Sequence, residues 1–310
     1  MIKGILFSGL LFFCITASAQ NTIGEVLNYD NKMEKISLKS EELAYMEVGE
    51  GPQTLIFVHG LSSNLEAWNK NIDTLKKNFK CIAIDLPGYG KSSKNKIAYS
   101  LSDYAGFINE FIIEKKLNNV VLVGHSMGGQ IVLHTALKYP EQLESLILFA
   151  PAGIETFTAQ EASIMKASYT PEMVQSASDE QIRKNIEMNF HVLPNDAEFM
   201  IEDRIAIKNA IDFEAYSEIV VNNIHAMLNE PVLEDLNKIK IPVLMIFGKN
   251  DMLIPNKYFH PTQNINSLVE TAKSTIPNLK VEIIDEAGHF VNFEKAEEAN
   301  LKITCFLKKQ

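Results

Sequence analysis

A chain of 310 residues, 46% hydrophobic and 22% charged, has ordinary globular usage, with material for one large domain carrying an insertion or for two modest ones. Its formal charge of −10 excludes a nucleic-acid partner, because phosphate binding needs a basic surface and clusters such as Lys115-Lys116 and Lys308-Lys309 are short. Three scattered cysteines exclude a disulfide scaffold, and no Cys/His spacing resembles a zinc site.

The first nineteen residues are expected to be a secretory signal peptide: Lys3, an apolar run from Gly4 to Ile15, then the small-x-small pattern Ala17-Ser18-Ala19. Such a run covers about 18 Å as a helix against roughly 30 Å of hydrocarbon, too short for a stable anchor. Cleavage after Ala19 would leave Gln20 first, in a periplasmic or secreted protein with no stable membrane anchor. Cys14 follows bulky Phe12-Phe13 and belongs to the apolar run. Cys81 and Cys305 read as buried free thiols, although export leaves a bridge between them open.

Lys35–Leu38 and Leu43–Val48 read as an antiparallel edge pair. From Thr54 short apolar runs alternate with amphipathic stretches, the pattern of β-α units around a buried, largely parallel sheet. Predicted strands are Thr54–Val58, Cys81–Ile84, Val120–Val123, Leu146–Phe149, Val243–Phe247 and Val281–Ile284, and predicted helices are Leu65–Asn78, Leu101–Lys116, Met127–Tyr139 and Lys295–Lys308. The 82 residues from Ile154 to Asp235 break this rhythm: they contain no strand pattern and are helical, with breaks at Pro171, Pro194 and Pro231. The expected organisation is therefore a signal peptide over 1–19, an α/β core from 20–153 and 236–310, and a helical cap over 154–235.

The chemistry gathers at strand ends. The predicted strand from Val120 runs into Gly124-His125-Ser126-Met127-Gly128 and then a helix. A serine at so sharp a turn needs strained backbone angles and close strand–helix approach, hence glycines two places before and after it. Ser126 is the expected nucleophile, and it needs a base. His289 follows the last predicted strand, at the sheet edge where open α/β sheets place their sites. His134, His191, His225 and His260 lie within helical or loop stretches, and His125 is expected to point away from the serine. The orienting acid is Asp251, after the strand Val243–Phe247, with Asp285 and Glu286 as rivals close to His289 in sequence. For the oxyanion, Met127 N–H is one donor and Leu61 N–H the other, with Gly60 allowing the turn and His59 bracing the loop.

In this order the segments His59-Gly60, Asp85 to Ser92, Gly124 to Gly129, Gly248 to Asp251 and Gly288-His289 resemble the α/β-hydrolase family, in its branch with a helical cap. The resemblance implies an eight-stranded, mostly parallel sheet, no cofactor, no metal, and a two-step acyl-enzyme reaction on a small-molecule substrate. Gly90-Lys91-Ser92 is not a phosphate loop, since the glycine required five places before Gly90 is Asp85. One departure is the long Asp251-to-His289 connection of 37 residues, whose extra length over Tyr258–Thr275 reads as a lip or an added helix.

A serine nucleophile sets aside haloalkane dehalogenases and epoxide hydrolases, which use Asp. Ester, thioester, amide or carbon–carbon hydrolysis and perhydrolysis remain. The meta-cleavage carbon–carbon hydrolases usually place Trp after the catalytic His and use a longer Gly-rich oxyanion loop, where this chain has Phe290 and Leu61-Ser62-Ser63-Asn64, so a carboxylic-ester hydrolase is expected. Of Met165, Met173, Met188, Phe190, Phe199, Met200, Phe213 and Met227 in the cap, two or three are expected to reach an acyl pocket. Arg183 and Arg204, the only arginines, are expected to pair with surface acids, with the capture of a substrate carboxylate as the alternative. The fold also serves as a silent binding scaffold, a reading that the ordered Ser126, Asp251 and His289 disfavour.

Overall fold

The computed structural model describes residues 21–95 and 98–309, so the expected signal peptide over 1–19 lies outside the described residues. Eight strands form one sheet: β1 (Glu34–Ser37), β2 (Glu42–Val48), β3 (Thr54–Val58), β4 (Lys80–Ile84), β5 (Val120–His125), β6 (Leu143–Phe149), β7 (Val243–Gly248) and β8 (Leu279–Ile284). Their spatial order is β1-β2-β4-β3-β5-β6-β7-β8. The β1–β2 and β2–β4 pairings are antiparallel and the rest parallel, as expected.

Strands β3, β5 and β7 are buried at every position, which requires cover on both faces. Helices are α1 (Ile23–Val26), α2 (Asn69–Leu75), α3 (Leu101–Glu114), α4 (Met127–Lys138), α5 (Ala159–Ser168), α6 (Pro171–Ser176), α7 (Asp179–Glu187), α8 (Glu198–Ala206), α9 (Phe213–Asn229), α10 (Ile265–Thr275), α11 (Val291–Glu294) and α12 (Ala296–Leu307). One layer pairs α3 with α4, the other α2 with α12, where Asn71 donates to Asn300 Oδ1 at 2.9 Å. Trp68 fills the core between Phe57 and Phe149, with ring centroids 5.2 and 5.7 Å away.

Chain direction across the sheet reverses between β3 and β5, where the crossovers diverge to opposite sides. That switch point leaves a crevice at the carboxyl ends of the two strands, the place where open α/β sheets bind ligands.

The differences from expectation are local. Leu65–Asn78 is a 3₁₀ turn over Leu65–Trp68 followed by α2, with Asn64 accepting the Glu66 N–H at 3.0 Å. The extra length before His289 contains α10, capped by Asn264 and docked by Leu268, Val269 and Ala272. The regular elements between β6 and β7 are all helices joined by loops, but α9 is built into the main core through Tyr216, Ile219 and Val220. Asn223 on α9 donates to the Tyr89 and Tyr104 hydroxyls at 2.6 and 2.9 Å, and Glu230 just beyond it accepts the Leu101 and Ser102 N–H groups at the start of α3. Cys81 and Cys305 are both free, Cys81 buried and Cys305 exposed, so the bridge left open by export is not formed and one thiol departs from the expected burial. Among the described residues no helix is long and apolar enough to cross a membrane.

Candidate active site

Ser126 sits between β5 and α4 with φ +55° and ψ −119°, the strained conformation expected of it. The neighbouring glycines are forced by contact. A Cβ on Gly124 would lie 2.5 Å from the Gly128 carbonyl oxygen, and one on Gly128 would lie 2.3 Å from that of Val58. The turn is held by Ser126 N–H donating to the Phe149 carbonyl at 3.0 Å and by its own carbonyl accepting from Gln130 and Ala152.

Pairing of Val58 with Gly124 brings the loop after β3 against this turn. A Cβ on Gly60 would stand 3.0 Å from His125 Nδ1 and 3.2 Å from Ser126 Cβ, so a larger residue would press the loop away from the serine turn. Leu61 follows directly. Met127 opens α4, and its N–H precedes the first intrahelical bond, so it remains available to an oxyanion. His59 braces the loop as expected: Nδ1 lies 2.8 Å from the Gly60 carbonyl and Nε2 accepts the Leu86 N–H at 3.1 Å, while burial pushes its pKa down to about 4 and keeps it neutral. The buried Asp85 carboxylate accepts from Leu65 N–H, Lys91 N–H and the Tyr29 hydroxyl. Burial nevertheless raises its pKa to about 6.

His289 and Asp251 meet in the loops after β8 and β7, with Nδ1 2.8 Å from Oδ2 and both side chains out of solvent. The other Asp251 oxygen accepts the Leu253 and Ile254 N–H groups at 2.8 and 3.0 Å, which fixes the carboxylate's orientation. The rivals face outward: Asp285 pairs with Lys249 and Glu286 with Lys295, their side chains 75% and 78% exposed.

Two residues that sequence reasoning gave no part hold the histidine loop. The His125 ring faces it: Nε2 lies 3.0 Å from the His289 carbonyl, and the ring stacks on Phe290 at 4.5 Å. Burial depresses its pKa strongly, so the neutral ring donates from Nε2. Glu294 accepts N–H groups from Gly288, His191 and Val192 at 2.7, 3.0 and 2.7 Å, tying the loop to the cap. Phe190 stacks on Phe290 at 5.3 Å from the cap side.

A cavity of about 330 Å³ adjoins this arrangement, with Leu61 and Phe290 in its wall. Of the cap side chains expected to reach a pocket, Met173, Phe199 and Met200 do so. A second depression, bordered by Asp251, Phe190 and His191, lacks the oxyanion-loop residues. The arginines diverge. Arg183 pairs with Glu198 on the surface, whereas Arg204 departs from the expected pairing: it lines the cavity, lies over the Tyr216 ring at 4.8 Å, and its buried Nη1 has no partner. Burial lowers its pKa to about 10, which leaves it charged at neutral pH.

A serine on a strained turn, a buried His–Asp pair and available N–H groups at a helix start are groups whose chemistry suits nucleophilic attack on a carbonyl. Residues 53–174 match the family model described as "alpha/beta hydrolase fold". The chain is 30% identical over 241 residues to a "putative esterase/lipase 2" of Mycoplasma pneumoniae, covering 76% of this chain and 81% of that protein. It is 26% identical to the dihydrolipoyllysine-residue acetyltransferase component of the acetoin cleaving system of Cupriavidus necator, where the match covers 83% of this chain but spans only 64% of that relative. A probable hydrolytic enzyme from Pseudomonas aeruginosa PAO1 superposes with a TM-score of 0.83 at 21% identity, covering 93% of this chain and 99% of that one.

Proposed function

Because this chain belongs to the α/β-hydrolase family, we propose that it is a serine hydrolase that cleaves a small, largely hydrophobic carboxylic ester through an acyl-enzyme intermediate. The observation that carries the reading is the buried His289–Asp251 pair, 2.8 Å apart, in the loop layer that also presents Ser126. Ser126 Oγ attacks the ester carbonyl carbon while His289 Nε2 takes its proton, and the oxyanion is received by Leu61 and Met127 N–H. Collapse expels the alcohol, protonated by His289. Water activated by the same imidazole then attacks the acyl-enzyme, releasing the acid and restoring Ser126. Asp251 keeps Nδ1 protonated and supports the imidazolium. An exported enzyme is consistent with the leader pattern of residues 1–19.

Purified protein should hydrolyse short p-nitrophenyl esters, whereas a silent scaffold releases no p-nitrophenol. One observation favours a second reading. The unpaired Arg204, in a wall that also carries Asp203 and the amides of Asn64, Asn185 and Asn189, suits an acyl group carrying a carboxylate or carbonyl, as in the vinylogous diketones cleaved by carbon–carbon hydrolases. Arg204→Met should leave neutral esters within a few-fold of wild type but lower kcat/KM for monoesters of dicarboxylic acids about 10- to 100-fold, the loss of one charge-assisted contact. Equal effects on both substrates would remove Arg204 from substrate recognition, and cleavage of a diketone in preference to any ester would establish the second reading.

A further inference from the structure

Before the first strand, residues 21–27 cross from the cap to the core as a strap. On the cap side, Ile211 N–H donates to the Asn21 carbonyl at 3.1 Å and Ile23 N–H donates to Asp212 Oδ1 at 2.7 Å. On the core side, the Lys91 ammonium donates to the Gly24 and Leu27 carbonyls at 2.8 and 2.5 Å and lies 4.9 Å from the Tyr29 ring centroid. A helix as short as α1 leaves its last carbonyls without intrahelical partners, and a cation placed there satisfies them. Tyr29 then donates to Asp85, the carboxylate that also fixes Leu65 at the end of the oxyanion loop. The strap is thus joined to the cap and to the bracing of the site.

Its apolar side chains form part of the cavity. Ile23 and Leu27 both border the cavity and are 0% and 5% exposed, so Ile23 is fully packed at the wall and Leu27 presents only a small part of its side chain. Neighbouring wall residues Ile207, Tyr216 and Val220 come from the cap and α9, and Gly90 from the Lys91 loop. The strap closes the gap between these two groups.

We propose that this strap is the specificity-determining wall of the acyl pocket, with Ile23 and Leu27 setting the length of acyl chain accepted. The proposal rests on the ester-hydrolase reading. Each methylene moved from water into an apolar wall is worth about a fourfold gain in kcat/KM. Ile23→Ala removes three carbons, enough to admit about two further methylenes and to shift relative specificity about tenfold.

The test compares kcat/KM for p-nitrophenyl acetate, butyrate and octanoate in the full chain and its variants. Ile23→Ala and Leu27→Ala should each raise the octanoate-to-acetate ratio about tenfold, and Ile23→Phe should lower it by a similar factor. Lys91→Met, which releases the strap without altering the wall side chains, should raise the ratio as well. Near-UV circular dichroism establishes that each variant is folded, and if Ile23→Ala does not fold, Leu27→Ala and Lys91→Met carry the test. Ratios unchanged from wild type in folded variants would overturn the strap proposal alone. A wild-type chain that hydrolyses no ester would overturn the ester reading and this proposal with it.

Discussion

Ser126→Ala should reduce hydrolysis of a p-nitrophenyl ester by about 10⁵- to 10⁶-fold, the loss seen when a triad nucleophile is removed and only oxyanion stabilisation and binding remain. The fold should survive, because alanine is smaller than serine and the turn is held by backbone hydrogen bonds to Phe149, Gln130 and Ala152 that the substitution leaves in place. The φ of +55° costs alanine as it costs serine. Steady-state rates and a thermal melt separate the two effects. A variant that keeps both its melting temperature and its turnover would place the nucleophile elsewhere.

Asp251→Asn is the second large effect, a loss of about 10⁴-fold in kcat with the fold intact. The amide oxygen could still accept from Leu253 and Ile254 N–H, which hold Oδ1 of the present carboxylate. Its NH₂ would then face His289 Nδ1, which sits 2.8 Å from Oδ2, and would favour the tautomer with the proton on Nε2. An imidazole in that form cannot accept the Ser126 proton. Asp285→Asn and Glu286→Gln, whose carboxylates point to solvent, should each stay within twofold of wild type. Kinetics on the three variants decide the acid, and a large loss in either exposed position with none at Asp251 would reassign it.

The strands were legible because a sheet covered on both faces demands unbroken apolar runs, and Thr54–Val58, Val120–Val123 and Val243–Phe247 are such runs. The glycines around Ser126 were legible for a related reason, since Gly124 and Gly128 stand where backbone atoms leave no room for a Cβ. Chain order then singled out Asp251 over nearer carboxylates, and the structure pairs that residue with His289.

What the sequence concealed depends on contacts between distant segments. His125 stands inside the serine motif with its ring expected only to point away from the serine, yet it donates to the carbonyl of His289, 164 residues away. Glu294 belongs to no motif, yet it collects N–H groups from His191 and Val192 across 103 and 102 residues. Nothing local separates Arg183, paired on the surface, from Arg204, buried over Tyr216. The strap was hidden for another reason: a four-residue helix is too short to show an apolar period, and its Ile23 and Leu27 acquire meaning only once the cap and the Lys91 loop surround them.

The central claim, that Ser126 is an activated nucleophile supported by His289 and Asp251, is tested most directly by covalent trapping. Native protein is incubated with a fluorophosphonate, digested, and the adduct located by mass spectrometry. One phosphonyl group on the peptide containing Ser126, absent from Ser126→Ala and formed far more slowly in Asp251→Asn, is the expected result. No adduct on the folded wild-type chain, or an adduct on another residue, would contradict it.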